Sequence, residues 1–374
     1  TILKHAKEKE DGIIKKLYVT GCLSERYKDD LKTDIPEVDG FYGTRDLPEL
    51  LKNFEAKYRN ELLGDRIITT DSHYAYLKIS EGCDRPCSFC AIPLMRGRHI
   101  SKPIDQIILE AKNLIRNGVR EIMLIAQDST YYGIDIYKKR AMSELLKKLS
   151  DVEGLDWIRI HYAYPAGFPM DIIEVMRERD NICNYLDIPL QHGSTNMLKV
   201  MKRGITREKT DELIKNIRDI NPEIALRTTL IAGHPGETER DFQEMYDFVE
   251  RSQFDRLGIF TYSHEEGTSA HKLEDDVPEQ VKRSRSNKIM ALQQKISTEK
   301  NKNKIGKTVK VLIDRVDANN YYGRTEQDSP EVDNEVIIPS KEMHLRVGDF
   351  YDVKITDSKE LSLIHISEPT RLHG

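Results

Sequence analysis

No run of about 18 apolar residues occurs in the chain, which excludes a membrane-spanning helix. Cysteine is scarce: five in 374 residues are too few for a disulfide-stapled fold. An excess of one charge sign is also missing. The 58 Lys and Arg are nearly matched by 63 Asp and Glu, for a formal net charge of -5, so the whole protein is not an electrostatic nucleic-acid binder. The apolar fraction, 38%, is too high for a disordered chain, which could not offset its ordering entropy by burial. Internal repeats and low-complexity segments are absent. The length fits two or three domains.

From Tyr74 to about Lys295, apolar strand patterns alternate with helical ones. The expected strands are Tyr74–Ser80, Glu121–Ala126, Trp157–Tyr162, Tyr185–Ile188, Ala225–Ala232 and Arg256–Tyr262. Helices are expected over Pro103–Asn117, Ala141–Ser150, Met170–Arg177, Arg207–Asp219, Glu239–Ser252 and onward from Pro278. Repeated β-then-α units imply a parallel sheet, here an α/β fold with an incomplete six-unit (β/α) barrel, and chemistry at the carboxyl ends of its strands. Residues 1–64 read as a smaller α/β piece. It has a strand at Lys15–Thr20, a helix from Ser24 as N-cap to Lys32, a strand region at Ile35–Tyr42, and a helix from Asp46 to about Glu61. Charge splits near the end: residues 279–310 carry net +8 and residues 311–360 net -6. The second stretch has short alternating strands separated by Gly306, Gly323 and Gly348, which reads as a small β-barrel.

Three of the five cysteines, Cys83, Cys87 and Cys90, fall within eight residues, on the loop after the first barrel strand. Such clustering points to metal chemistry in a reducing, cytoplasmic compartment. The spacing C-x3-C-x2-C suits three irons of a 4Fe-4S cluster, leaving the fourth iron open for a cofactor. Structural zinc takes four protein ligands, and neither His73 nor His99 stands at the tight spacing of a fourth.

With this loop the chain resembles the radical SAM enzymes. Cys87–Gly97 (CSFCAIPLMRG) and the domain order resemble the methylthiotransferase family within them. The resemblance implies a partial N-terminal methylthiotransferase domain (1–64), a radical SAM barrel with a basic final helix (65–302) and a TRAM-type β-barrel (303–360). The stretch Leu361–Arg371 (LSLIHISEPTR) looks like translated sequencing-adapter sequence, so 361–374 is expected to be a non-native tail. The chain opens on Thr1, and in this family two further cysteines lie upstream; Cys22, in Val19–Ser24 (VTGCLS), matches the third ligand of a second, N-terminal 4Fe-4S cluster. The implied cofactors are two such clusters and S-adenosylmethionine (SAM), serving as both radical source and methyl donor. Cys183 matches no motif and reads as a core thiol.

The family has two substrate classes, tRNA adenosines and an aspartate of the twelfth small-subunit ribosomal protein. Ala126–Gly133 (AQDSTYYG), His161–Pro165 (HYAYP) and Tyr262–Thr268 (YSHEEGT) resemble the ribosomal-protein branch. The acidic TRAM module also argues against a tRNA backbone and for a basic protein, which it would grip and present. The implied function is methylthiolation of that aspartate's β-carbon, on the free protein or on the ribosome, with a reductant such as flavodoxin or ferredoxin and no membrane partner. A tRNA methylthiotransferase is the alternative, and a non-catalytic iron–sulfur or RNA-binding scaffold a second. By resemblance, Gln127, Asp128, Gln191, Arg203, Gly233 and Gly236 face SAM. Gly233 and Gly236 would permit close backbone approach, and Arg203 would meet a carboxylate. His192 and His234 receive no catalytic role.

Overall fold

The computed structural model describes residues 1–56, 67–340, 344–359, 362–364 and 370–371. Its centre is a six-stranded parallel sheet: β3 (Tyr74–Lys78), β4 (Glu121–Ile125), β5 (Trp157–Ile160), β6 (Ile182–Asp187), β7 (Ala225–Ala232) and β8 (Arg256–Thr261). The spatial order follows the chain order, with β3 and β8 at the two open edges. This is the expected incomplete barrel. Five strands start where the pattern placed them; β6 starts three residues earlier, with buried Ile182 and Cys183 extending it.

The helices between the strands are amphipathic. In the helix Ile104–Arg116, Ile104, Ile107, Ala111 and Leu114 form one buried stripe against the sheet. The helix Glu239–Ser252 starts with a capping box between Thr238 and Asp241. The last helix, Glu279–Lys302, packs across β8 and β7. One contiguous apolar core fills the space between helices and strands.

In the N-terminal portion, β1 (Tyr18–Thr20) and β2 (Gly40–Tyr42) pair in parallel. Ahead of them the chain forms a helix, Ile2–Glu10, where no element was expected. The next helix runs Cys22–Asp34 with Gly21 as N-cap; Ser24 lies inside it, its hydroxyl turned back to the Val19 carbonyl at 3.5 Å. The helix after Asp46 ends at Lys52, and the expected continuation through 57–61 lies outside the described residues, as does the boundary at 64/65.

The C-terminal sheet contains β9 (Thr308–Val316), β10 (Asn320–Arg324), β11 (Glu335–Pro339) and β12 (Phe350–Lys354), all paired antiparallel around Val311, Ile313, Val336, Ile338 and Val353. Three short strands, β13 (Asp357–Lys359), β14 (Ser362–Ile364) and β15 (Thr370–Arg371), extend its edges. The outermost two, β13 and β15, are not paired with each other among the described residues. The rest of 361–374 lies outside the described residues.

This sheet sits under the amino-terminal ends of the barrel strands, opposite the cysteine loop. Trp157, at the start of β5, packs on Phe350 of β12 with ring centroids 4.8 Å apart. The loop after β10 enters the barrel from below. Its Glu326 accepts from the Asn184 amide at 3.0 Å, Asp328 from Arg256 Nε at 3.0 Å, and Asp333 from the Tyr185 hydroxyl at 2.8 Å. Ser329 bonds His161 at 3.1 Å. Part of this module's acidic charge is therefore turned inward, onto barrel side chains, where it closes the barrel floor.

Candidate functional site

The loop after β3 is tied down along its length. At Gly82, with φ +83°, a Cβ would stand 2.1 Å from the Arg98 carbonyl oxygen, so only glycine lets the two chain segments pass. The Cys83 amide donates to the Gly97 carbonyl at 3.1 Å, the Ser88 amide to Met201 at 3.0 Å, and the Cys90 amide to Cys87 at 3.2 Å. The Ser88 hydroxyl meets buried His234 at 3.1 Å. His73 and His99 are engaged elsewhere, with Asp314 and Ser101.

So held, Cys83, Cys87 and Cys90 line one cavity of about 390 Å³ at the carboxyl ends of the strands. Burial pushes the Cys83 thiol up to about 11 and raises that of Cys90. The Arg203 guanidinium donates to Cys87 Sγ at 3.1 Å and to the Pro189 carbonyl at 2.5 Å. Among the described residues no group of three Cys, His or acidic side chains converges as ligands of a single metal ion. Three thiols on one cavity are the donor set of a cuboidal cluster, which takes each thiolate at a different iron. The polar atoms around the thiols suit a polar, charged ligand beside it. Arg203 Nε, Gln127 Oε1 and Arg85 Nη2 are buried at the cavity without hydrogen-bond partners among the described residues.

Gln127, Gln191 and Arg203 also line this cavity. Gln127 is held by its amide, which donates to Glu81 at 3.0 Å. Gln191 has φ +77°, fixed by backbone bonds to Thr229 and Ile231 on either side of a bridge to β7. Arg203 meets a thiol and a carbonyl instead of a protein carboxylate. Asp128 lies beneath the lining, accepting from Arg85 Nε at 2.7 Å and from Thr130. Gly233 and Gly236 do not line it. The face of Gly233 is covered by Lys282, whose Cγ stands 2.2 Å from where a Cβ would be, and its amide donates to Glu237 at 2.8 Å. The Gly236 amide donates to Asp276 at 2.7 Å. His192 is buried between Glu237 and the Ser194 amide, as a satisfied loop histidine.

Among the lining residues that escaped the sequence reading are Arg85, Tyr162, Tyr164, Arg227 and Phe260. Arg85 lies over the rings of Tyr164 and Tyr131, 4.1 and 4.9 Å from their centroids. Tyr162 has φ +61°, and both it and Phe260 expose much of their rings at the mouth. The signal that could have found them is position: each sits on the cysteine loop, on a strand or just past one.

Cys22 opens the helix Cys22–Asp34, which packs on the helix Ile92–Arg96 that follows the cysteine loop. The Thr44 hydroxyl donates to the Met95 carbonyl at 3.1 Å, and Arg45 to the carbonyls of Arg96 and Arg98. Arg26 pairs with Glu265, so the Glu265-Glu266 segment clasps the N-terminal portion to the barrel. Cys183 is buried beside Trp157 and Leu312, a core thiol.

The radical SAM superfamily matches residues 77–249, and the TRAM domain matches residues 305–365. A ribosomal protein uS12 methylthiotransferase RimO of Cytophaga hutchinsonii is 59% identical over 363 residues, covering 97% of this chain and 83% of the relative. One of Bacteroides thetaiotaomicron is 53% identical over 363 residues, again covering 97% and 83%. Among solved structures, the cobalamin-dependent SAM radical enzyme OxsB aligns with a TM-score of 0.51 and 13% identity. It covers 71% of this chain and 43% of its own, which supports the fold alone. Thiols, cavity and partial barrel thus coincide with sequence identity spread across nearly the whole chain, and the chain belongs to the ribosomal protein uS12 methylthiotransferase RimO family.

Proposed function

We infer that this chain is a radical SAM methylthiotransferase that modifies the β-carbon of an aspartate in ribosomal protein uS12. The observation that carries this reading is the cysteine triad on one cavity at the strand ends, in a chain 53–59% identical to such enzymes over 97% of its length. We assign Cys83, Cys87 and Cys90 as ligands of a 4Fe-4S cluster, and Gln127, Gln191 and Arg203 as contacts for SAM. Asp128 then acts through Arg85, and Gly233 and Gly236 shape the adjoining loop. When bound, the cluster and SAM supply a reducing electron and a carbon radical able to take hydrogen from an unactivated C–H bond.

The protein's own residues do the rest. Burial around the thiols excludes water from reactive species. Arg203, beside Cys87, places a fixed positive charge next to the anionic cluster. The open edges of the six-stranded barrel let a loop of a folded protein reach the cavity from the side. We read Cys22 as one ligand of a second 4Fe-4S cluster. It is the one cysteine within residues 1–64, so that cluster's further thiolates come from elsewhere. Reduction by flavodoxin or ferredoxin, action on the ribosome and a cytoplasmic setting complete the reading. No helix among the described residues is long and apolar enough to cross a membrane.

Anaerobic reconstitution with iron, sulfide, dithionite and SAM tests this reading, with uS12 and bulk tRNA as parallel substrates. We expect 5'-deoxyadenosine and, where the second cluster's further thiolates are supplied, one methylthio group added to an aspartate of uS12. No 5'-deoxyadenosine, or a methylthio group on a tRNA adenosine, would overturn it.

A further inference from the structure

We propose that Arg227 is the residue that receives the carboxylate of the substrate aspartate and so determines specificity for an acidic side chain. This rests on the aspartate reading above. Arg227 is the third residue of β7, and it shares the inward face with Thr229, two positions on. The other two arginines of the cavity are turned to other partners, each with one buried nitrogen left over. Arg85 is bonded to Asp128 and stacked on two tyrosines. Arg203 is bonded to Cys87 and Pro189.

Arg227 is anchored but not used up. Its Nη1 donates to buried Asp187 at 2.9 Å, and its Nε lies 3.6 Å from Asp333 of the plug loop. Among the described residues its Nη2 donates to none. Burial alone would lower its basicity, but Asp187, Tyr185 and Asp333 outweigh that and keep it charged. A guanidinium held by two carboxylates is pre-oriented, so little side-chain entropy is lost when it binds a third.

Its position also suits the path of a protein loop. Arg227 borders a second groove, of about 510 Å³, along the open edge strand β8 with Gly258, Met290 and Val332. It is thus common to the lateral groove and the thiol-lined cavity. A loop lying in the groove would bring an aspartate to Arg227 from the side. Because the β-carbon is bonded directly to the carboxyl carbon, holding the carboxylate fixes the β C–H bonds beside the cavity, between Tyr162 and Phe260.

The test is a binding cycle on the full chain, without SAM, using uS12 and its counterpart with the target aspartate changed to Asn. Wild type should bind the aspartate form about 10- to 100-fold more tightly, the range for a charged hydrogen bond. Arg227→Gln should bind both forms equally, and Arg227→Lys should recover part of the preference. An undiminished preference in Arg227→Gln overturns the proposal. If Arg227→Gln fails to fold, as Trp157 emission would reveal, wild type and Arg227→Lys decide: an equal preference in the two overturns it. Wild type that shows no preference yet methylthiolates uS12 sinks the proposal alone. Wild type that neither prefers nor modifies the aspartate sinks the functional reading.

Discussion

The joint between barrel and plug loop should break when one buried carboxylate is removed. Asp328 accepts from Arg256 Nε at 3.0 Å, from Arg256 Nη2, and from the Thr325 hydroxyl at 2.6 Å. The two charged side chains are only 8% and 1% exposed, so the small value of about 0–1 kcal/mol for a surface pair does not apply. In Asp328→Ala, Arg256 keeps one bond, from Nη1 to the Asp255 carbonyl at 2.7 Å, and remains a buried cation that has lost its paired carboxylate, with Asp333 and Asp255 acting on it only from beyond ion-pair distance. Breaking such a pair costs about 3–5 kcal/mol, whereas replacing both partners by apolar groups is often neutral. We therefore expect Asp328→Ala to lose about 3–5 kcal/mol, and Asp328→Ala with Arg256→Met to recover most of it. The chain has a single tryptophan, Trp157, and it sits in this joint against Phe350. Urea unfolding followed by Trp157 emission reads the joint directly. A loss below about 1 kcal/mol in the single variant, or no recovery in the double, would refute the buried-pair account.

The same joint should weaken in acid. Burial raises the carboxyls of Glu121, Asp314 and Asp328, but Arg159, Arg256 and Arg324 outweigh it and leave all three below their usual values. Their stabilisation is present above the unfolded values of about 4 and is lost as pH falls through the folded ones, so the Trp157 transition should shift to lower urea below about pH 4. A midpoint unchanged between pH 6 and pH 3 would count against it. Cys83→Ala, Cys87→Ala and Cys90→Ala should each abolish SAM cleavage, measured as 5'-deoxyadenosine; turnover in any of them removes that ligand assignment. Arg203→Met should keep cluster iron while weakening SAM binding by about tenfold or more, the loss of one charged hydrogen bond; unchanged SAM affinity by equilibrium dialysis would remove it from the SAM contacts. Gly233→Ala should lower stability by about 1 kcal/mol or more, because φ is +77° and buried Lys282 blocks the Cβ; a thermal midpoint equal to wild type would show that the loop relaxes.

How much was readable in advance follows from the kind of signal each feature leaves. The barrel was legible because its strands are short apolar runs and its helices carry stripes at helical spacing. Ala225–Ala232 and Glu239–Ser252 emerged with the boundaries read from pattern alone. The thiols were legible because ligands from one loop are close in sequence. Arg227, Tyr162 and Phe260 were not, since each comes from a different strand and only the curvature of the sheet brings them together. Gly233 and Gly236 misled for a related reason. A glycine with positive φ records that something approaches its backbone, but not what; for Gly233 the neighbour is Lys282.

The acidic module shows how net charge can mislead while remaining correct. Residues 311–360 do carry an excess of acids, but Asp314, Glu326, Asp328 and Asp333 face the barrel, where His73, Asn184, Arg256 and Arg227 meet them. A closed eight-stranded barrel fills its interior with apolar layers. Six strands leave a wider, open interior, and this one is lined by Glu121, Arg159, Asp187 and Arg256, which need partners once removed from water. The C-terminal module supplies part of this: Arg324 of β10 meets Glu121, and in the loop after it the Glu326 carbonyl meets Arg159 and Asp328 meets Arg256, while Asp187 is met by Arg227. The chain of contacts from Ser329 and Asp333 through Arg227 and Asp187 ends at the Tyr162 amide, 3.2 Å from Asp187, on the wall of the thiol-lined cavity. The C-terminal module is therefore part of the catalytic barrel's floor, and the charge that seemed to select a partner first serves to hold the site in shape.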